Sequence, residues 1–214
     1  MIKHIWFDVD GTLATHSDEF NKVHNQLRYK IYSQVINKPV TEFLQQEFEA
    51  LYKKHGSNSA TFRSLGCASD FWMKHFEQID KEKYYQPNEN IYKTVEKLKD
   101  KALISVFTNL TAEGTKKTLR ILKINPDWVT NYLSGDDVKE RKPALSGFYK
   151  MIELAKISAE EILYVGDKVG VDIIPAKKVG MKTCLVWSKS DEADYSFENF
   201  EDLLTIDLTV QSKN

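Results

Sequence analysis

The sequence predicts an α/β protein with a parallel sheet covered by helices, and two observations support this class. From about residue 91 onward, short apolar runs alternate with helical periodicities, as in chains that form parallel sheets. Several of these runs also stop at polar residues, most clearly where Asp8 and Asp10 follow Ile5-Trp6-Phe7. Because ligands bind at the carboxyl ends of strands in open α/β sheets, we expect a site there.

The first strand comprises the large apolar residues before Asp8, as expected for burial on both faces of a sheet. Gly11 then allows a sharp turn. Successive strand residues face opposite ways, so the sequence predicts that Asp8 and Asp10 point to the same side. Two neighbouring carboxylates repel each other unless a cation joins them, and a hard divalent ion such as Mg²⁺ would do so.

Residues 16–85 change to consecutive helical patterns and predict a helical insertion with its own small core. We expect hinges near Thr15 and Gln86-Pro87, and a loop over residues 55–59. The apolar positions that mark the successive helices are Phe20, Val23, Leu27, Ile31 and Val35, then Leu44, Phe48, Leu51 and Tyr52, then Phe62 and Leu65, and finally Phe71, Trp72 and Phe76. We interpret the aromatic rings among the last five as core rather than as a surface for stacking a base.

The remaining chain alternates helix and strand. Helices are predicted over residues 91–98, 115–122, 148–156 and 173–179, with Gly180 as the stop of the last one. Strands are predicted over residues 102–107, 131–133, 162–165 and 183–187, which together with the first strand gives five. The expected domains are therefore residues 1–15 with 86–214, and residues 16–85.

Composition excludes several classes of function. The 30 basic and 31 acidic side chains give a net charge of -1, which does not indicate a nucleic-acid-binding surface. No apolar run approaches the roughly 20 residues that cross a bilayer, and the N-terminus has no signal-peptide pattern. Cys67 and Cys184 have no metal-type spacing and are expected to be reduced thiols. We expect a cytoplasmic protein, monomeric or weakly dimeric, without nucleic-acid or membrane partners.

Polar groups gather at four ordered places in the chain. They are Asp8-Val9-Asp10-Gly11-Thr12, Phe107-Thr108-Asn109, Lys142-Pro143, and Gly166-Asp167 followed by Asp172. Together these resemble the four motifs of the haloacid dehalogenase superfamily, over nearly the whole chain. The insertion between the first two motifs resembles the helical cap of that superfamily, and the resemblance implies a Rossmann-like core.

The resemblance also implies a role for each motif residue. Asp8 would be the nucleophile that attacks phosphorus, and Asp10 the acid and base that serves the leaving group and then water. Thr108, Asn109 and Lys142 would bind the phosphoryl group, with Lys142 offsetting negative charge. Asp8, the backbone carbonyl of Asp10, Asp167 and Asp172 would hold Mg²⁺.

Five further polar residues have no assigned role from sequence. Arg141 and Lys168 lie beside motif residues, where each could add positive charge near a phosphate, but we interpret both as solvent-facing charges. His16, His55 and Arg63 are the residues of the insertion that could contact a substrate, although exposed helix or loop positions are the simpler interpretation.

The implied function is Mg²⁺-dependent hydrolysis of a phosphomonoester, with a small phosphorylated metabolite as substrate and an aspartyl-phosphate intermediate. Phosphoglycolate phosphatase-like and nucleotidase-like members are equally compatible with the pattern. Two alternatives are a sugar-phosphate mutase of the same superfamily and a noncatalytic binding protein that retains the fold. The Asp8 and Asp10 pair disfavours the binding protein, which has no need of both carboxylates.

Overall fold

The structure is a computed structural model that describes residues 1–208, and these divide into two compact units. Unit 1 contains Met1–Thr15 and the described residues from Gln86 onward, and unit 2 is His16–Tyr85. The functional motifs lie in unit 1.

Unit 2 is built from helices along its described length. They are Asp18–Ile36 (α1), Glu42–His55 (α2), Asn58–Ser64 (α3), Phe71–Phe76 (α4) and Lys81–Tyr84 (α5). The predicted loop at residues 55–59 is shorter than expected, because Gly56 ends α2 with φ of 77° and Ser57 already caps α3. The Ser57 hydroxyl accepts a hydrogen bond from Ala60 N at 3.2 Å, as an N-cap residue does.

An aromatic core holds these helices together. Phe62 and Trp72 stack with ring centroids 5.6 Å apart, and Phe48 lies 5.5 Å from Phe62. Phe62, Trp72 and Phe76 are buried, which confirms the interpretation of these three rings as core, whereas Phe71 is half-buried.

Unit 1 contains a sheet of six parallel strands in the order β3-β2-β1-β4-β5-β6. The strands are His4–Phe7 (β1), Leu103–Phe107 (β2), Val129–Leu133 (β3), Ile162–Gly166 (β4), Lys182–Val186 (β5) and Tyr195–Phe197 (β6). Phe7 is in register with Val106 on one side and Val165 on the other. The carboxyl ends of β1, β2 and β4 therefore lie side by side, and the α/β prediction is confirmed.

β1 ends at Phe7, as the apolar run before Asp8 predicts, but the strand alternation assumed for Asp8 and Asp10 does not apply. The Val9 carbonyl instead accepts hydrogen bonds from Leu13 N at 3.0 Å and Ala14 N at 2.9 Å within a turn. Strand alternation therefore does not decide where Asp10 points. The sequence also predicted five strands, and β6 was missed because a three-residue edge strand carries too little apolar pattern.

Helices connect the strands of this sheet. They are Glu89–Leu98 (α6), Ala112–Ile121 (α7), Leu145–Ala155 (α8) and Ile174–Lys178 (α9), with a π-helical turn at Val169–Ile173 and 3₁₀ turns at Pro126–Trp128, Ala159–Glu161 and Phe200–Thr205. Gly180 adopts φ of 88° just after α9, and Met181 N bonds back to the Ala176 carbonyl at 3.2 Å, as expected for a glycine stop. Along residues 1–208, none of the helices has the length and apolar character required to cross a lipid bilayer.

The core of unit 1 includes a buried histidine on its central strand. His4 is 1% exposed, and its Nε2 lies 2.8 Å from the Ser105 hydroxyl of β2. Burial lowers the pKa of His4 from 6.5 to about 4. Because the unfolded chain takes up this proton below pH 6.5 and the folded chain does not until about pH 4, folding loses stability between these two values.

We expect the His4→Gln variant to have a flatter pH dependence of stability than the wild type. Between pH 7 and pH 4, the His4 contribution to the free energy of unfolding should fall by about 3 kcal/mol in the wild type alone. Urea unfolding at pH 7, 5.5 and 4.5 measures this difference. Parallel pH profiles for the two proteins would contradict the assignment.

Candidate active site

The candidate site lies at the carboxyl ends of β1, β2 and β4. Asp8 follows β1, Thr108 follows β2 and Asp167 follows β4. Asp172 comes from the π-helical turn after β4, and Lys142 from the segment before α8. The structure thus brings residues from all four motifs together in unit 1.

The turn after β1 lies directly against the end of β4. Gly11 has φ of 93°, and a Cβ atom built on it would lie 2.4 Å from Asp167 Oδ2. A larger residue would therefore have both an unfavourable backbone conformation and a collision with this carboxylate. Gly166 is similarly restricted, because its Cβ would lie 2.4 Å from the Asp172 Cβ. These two glycines allow the carboxylates to gather.

The Lys142 ammonium is the centre of the hydrogen-bond network. Its Nζ atom donates to Asp8 Oδ1 at 2.8 Å, to Asp172 Oδ1 at 2.7 Å and to the Tyr164 hydroxyl at 2.7 Å. The side chain is 2% exposed. A buried charge is stable only when it is paired and hydrogen-bonded, and here each of the three ammonium hydrogens has an acceptor.

The backbone of Lys142 is held by Asn109. Asn109 Oδ1 accepts from Lys142 N at 2.8 Å, and Asn109 Nδ2 donates to the Lys142 carbonyl at 3.1 Å. Both polar atoms of the amide are therefore engaged in positioning the lysine. The expectation that Asn109 binds substrate stays a prediction, and this geometry favours an indirect contribution.

Arg141 does not face solvent, contrary to the prediction. Its side chain is 11% exposed, and Nε donates to the Asn109 carbonyl at 3.1 Å. An ion pair of 3.4 Å with Asp136 completes its contacts. Local sequence does not reveal these partners, because Asn109 and Asp136 lie on other loops, after β2 and β3. Arg141 joins the loops on which Asn109 and Lys142 lie.

Lys168 was also predicted to face solvent, and its side chain is 43% exposed, as expected. Its Nζ also lies 3.1 Å from Asp167 Oδ2. The backbone N of Lys168 donates to Asp172 Oδ2 at 3.1 Å. Asp167, Asp8 and Asp172 together outweigh the effect of burial and raise the pKa of Lys168. This lysine therefore adds a second positive charge to the carboxylate cluster.

The pKa values of the buried carboxyl groups reflect burial first. Burial raises the pKa of Asp8 from 3.8 to about 7, while the Lys142 charge acts in the opposite direction. The pKa of Asp167 is also raised, mainly by burial and against the effect of Lys168. For Lys142, burial alone would lower the pKa, but Asp172 and Asp8 raise it above the usual value. The lysine is therefore charged at neutral pH.

Three carboxylates form a group that fits a divalent ion. One oxygen from each of Asp8, Asp167 and Asp172 lies within 4.8 Å of the others. Carboxylate oxygens at this spacing can converge on a divalent ion such as Mg²⁺, whose ligands lie about 2 Å from it. Three ionised carboxylates against two lysines leave a net charge of -1, which attracts a cation. The part-buried Asp10 lies on the adjacent turn, and its role stays a prediction.

Thr108 is buried just after β2, and hydrogen bonds to backbone groups of other residues hold it in place. Its N–H donates to the Leu133 carbonyl at 3.1 Å, and its hydroxyl oxygen accepts from Leu110 N at 3.3 Å. A hydroxyl that accepts in this way still has its own proton to donate. The proposed contact with a phosphoryl oxygen is compatible with this geometry.

Tyr164 is the site residue that sequence reasoning missed. It is fully buried in β4, and its hydroxyl contacts Lys142, Asp172 and the Phe107 carbonyl. The available signal was a tyrosine inside an otherwise apolar strand, since a buried phenol needs a hydrogen-bond partner.

Three polar residues of unit 2 were predicted from sequence to be possible substrate contacts. Arg63 is exposed and His55 is half-buried, whereas the His16 ring centroid lies 4.6 Å from that of Phe20.

Comparison with known proteins identifies a family and several relatives of this chain. Residues 5–186 match the family described as haloacid dehalogenase-like hydrolase. The pyrophosphatase PpaX of Bacillus mycoides (strain KBAB4) is 26% identical over 215 residues, covering 96% of each protein. The glyceraldehyde 3-phosphate phosphatase of Methanocaldococcus jannaschii is 27% identical over 244 residues, covering 96% of this chain and 97% of that protein.

Solved structures show the same fold. The HAD phosphatase from Thermococcus onnurineus superposes with a TM-score of 0.66 at 19% identity, covering 95% of this chain and 97% of that one. The HAD-hydrolase YfnB from Bacillus subtilis, which was solved bound to magnesium, gives a TM-score of 0.65 at 18% identity, covering 95% and 97% of the two chains.

The structure is an α/β protein with an acidic centre at the strand ends of its parallel sheet. The chain belongs to the haloacid dehalogenase-like hydrolase family, because the family match covers most of its length. The resemblance stated from sequence and the prediction of a hydrolytic enzyme are confirmed.

Proposed function

We propose that the chain is a Mg²⁺-dependent phosphatase that hydrolyses a small phosphomonoester through an aspartyl-phosphate on Asp8. The observation that carries this proposal is the Lys142 ammonium, which holds Asp8 and Asp172 at 2.8 and 2.7 Å beside Asp167. A nucleophilic carboxylate needs such a fixed position and a means of carrying its negative charge close to a phosphate.

The reaction proceeds in two displacements. Asp8 attacks phosphorus, the bond from phosphorus to the leaving oxygen breaks, and Asp10 gives its proton to that oxygen. Asp10 then removes a proton from water, which attacks the phosphoryl group and releases phosphate and free Asp8. Because Lys142 binds Asp8 Oδ1, the other carboxylate oxygen is the one available for attack.

The surrounding residues stabilise charge during both displacements. Thr108 donates its hydroxyl proton to a phosphoryl oxygen, while Lys142 fixes Asp8. Asp8, Asp167, Asp172 and the Asp10 carbonyl would hold Mg²⁺, which supplies positive charge to the phosphoryl oxygens when bound. The magnesium named in the YfnB structure supports the choice of metal.

The substrate is proposed to be a small phosphorylated molecule. The two relatives compared above are named for pyrophosphate and for glyceraldehyde 3-phosphate, and a third, from Aquifex aeolicus, is named phosphoglycolate phosphatase at 27% identity. Small phosphorylated compounds are common to all three names. We further propose that unit 2 serves as the cap, because it is inserted in the chain between Asp10 and Thr108 and consists of helices.

Hydrolysis of p-nitrophenyl phosphate tests this proposal. Wild-type protein should release p-nitrophenol in the presence of Mg²⁺. Excess chelator should lower kcat/KM by at least about 100-fold, and restored Mg²⁺ should return kcat/KM to its original value. A panel of pyrophosphate, phosphoglycolate and sugar phosphates then ranks substrates by kcat/KM.

Each outcome of this assay has a distinct meaning. Equal turnover in chelator would contradict the metal-dependent mechanism. A sugar-phosphate mutase would transfer the phosphoryl group to a second sugar phosphate with little release to water. Absence of any turnover on the whole panel would favour a noncatalytic protein.

A further inference from the structure

A buried tyrosine, Tyr164, contacts the ammonium of Lys142. Tyr164 occupies the middle of β4 and has no exposed surface. Its ring is packed edge-to-face against Phe148, with centroids 5.2 Å apart, and against Phe107 at 6.4 Å. The phenol ring therefore has little freedom to move, and its hydroxyl has a defined position at the end of the strand.

The direction of each hydrogen bond follows from chemistry. An ammonium group only donates, so the Tyr164 oxygen accepts from Lys142 Nζ at 2.7 Å. The phenol has one proton, and the Phe107 carbonyl at 3.1 Å is nearer to it than Asp172 Oδ1 at 3.3 Å. The hydroxyl thus connects the lysine to the rigid backbone of β2.

This contact completes the coordination of the ammonium. Asp8 and Asp172 accept two of its three hydrogens, and Tyr164 accepts the third. With two acceptors only, Lys142 could rotate about the line between the two carboxylates or move toward one of them. The third acceptor is neutral and fixed in the sheet, so it determines where the positive charge lies without adding negative charge.

We propose that Tyr164 is a positioning residue, whose hydroxyl holds Lys142 so that Asp8 presents its second oxygen to phosphorus. This inference rests on the proposed function, since it assigns Asp8 as the nucleophile. Tyr164 itself touches neither the substrate nor the reacting atoms. Its hydroxyl also lies 3.3 Å from Asp172 Oδ1, but the effect proposed on Asp8 is transmitted through the ammonium of Lys142.

Tyr164→Phe removes the hydroxyl and keeps the packed ring. We expect kcat on p-nitrophenyl phosphate to fall about 10-fold with KM within about twofold, because the nucleophile is misplaced while phosphate binding is retained. Tyr132→Phe is the matched control. Tyr132 lies on β3 of the same sheet, and its hydroxyl donates to the Pro126 carbonyl at 3.0 Å rather than contacting Lys142. The kcat of this variant should stay at the wild-type value.

A double-mutant cycle separates positioning from general stability. In a Lys142→Met background, Tyr164→Phe should have less than a twofold further effect on kcat. The thermal midpoints of the metal-free proteins are measured alongside, because loss of the hydrogen bond to the Phe107 carbonyl should lower the midpoint in both backgrounds, whereas the effect on kcat should depend on Lys142. If Tyr164→Phe does not fold, Tyr164→Met takes its place in the same cycle.

If Tyr164→Phe lowered kcat by the same factor with and without Lys142, the inference would be overturned and the proposed function would stand. An unchanged kcat in Tyr164→Phe would also overturn it. Failure of the proposed function has a different signature, because the wild-type protein would then release no p-nitrophenol or release it equally in excess chelator.

Discussion

Asp8→Asn is expected to reduce kcat on p-nitrophenyl phosphate by about 10⁴-fold or more, because an amide oxygen is a poor nucleophile. The fold should be retained. Asn has nearly the same volume, and its amide oxygen can still accept the hydrogen bond from Lys142 that Asp8 Oδ1 accepts at 2.8 Å. Initial rates with and without Mg²⁺, together with thermal unfolding, measure both parts of this expectation.

The stability of this variant follows from the Asp8 pKa. Burial raises the pKa from 3.8 to about 7, so the folded state holds the proton more tightly than the unfolded state. Ionised Asp8 therefore costs stability, and this cost develops between pH 3.8 and about 7. Without metal at pH 8, Asp8→Asn should unfold at a temperature no lower than the wild type.

A matched control and a contradictory result complete this test. Asp191 is an exposed aspartate far along the chain, and Asp191→Asn should keep the wild-type kcat. Wild-type turnover by Asp8→Asn would require a different nucleophile. Loss of folded protein in that variant would show that the carboxylate charge is needed for stability, against the direction derived from its pKa.

Lys142→Met should have the second-largest effect, on both activity and stability. Without the ammonium, Asp8 and Asp172 remain buried with no cation between them, and kcat should fall by about 10³-fold. Removing one partner of a buried ion pair costs about 3–5 kcal/mol, so unfolding in urea should shift to lower concentrations at pH 8.

The pH and metal dependence distinguish this explanation from a simple packing defect. With the lysine absent, protonation of Asp8 relieves the repulsion, so Lys142→Met should recover much of its stability at pH 5.5. Mg²⁺ should also stabilise the variant, because a dication replaces the missing charge. The half-buried Lys150 provides the control, and Lys150→Met should match the wild type in kcat. A stability loss that is equal at both pH values would contradict the electrostatic explanation.

Much of unit 1 could be predicted from local sequence. A strand such as β4 is a continuous apolar run bounded by Gly166 and Asp167, and this pattern determines both its conformation and its end. The same local reasoning failed for β6, which has three residues at the sheet edge. It also failed at Asp10, where a turn rather than strand geometry determines the side-chain direction.

The partners of charged residues could not be predicted from the sequence. Arg141 looks like a surface charge in sequence, and only the folded loops bring it to Asn109. An isolated lysine or arginine is normally solvated, so local pattern gives no reason to expect a buried partner. The two-unit division of the described chain follows the helical pattern, while the role of unit 2 as a cap stays a proposal.

The sequence by itself determined which carboxylates stand at strand ends, because apolar runs specify strands and Asp8 and Asp167 directly follow two of them. Only the tertiary structure decided that one lysine joins Asp8 to Asp172, which follows β4 on the next turn. Lys142 is separated from Asp8 by 134 positions and from Asp172 by 30. No local preference acts over such distances, and the contact forms because parallel pairing of β1 and β4 brings the ends of these strands together.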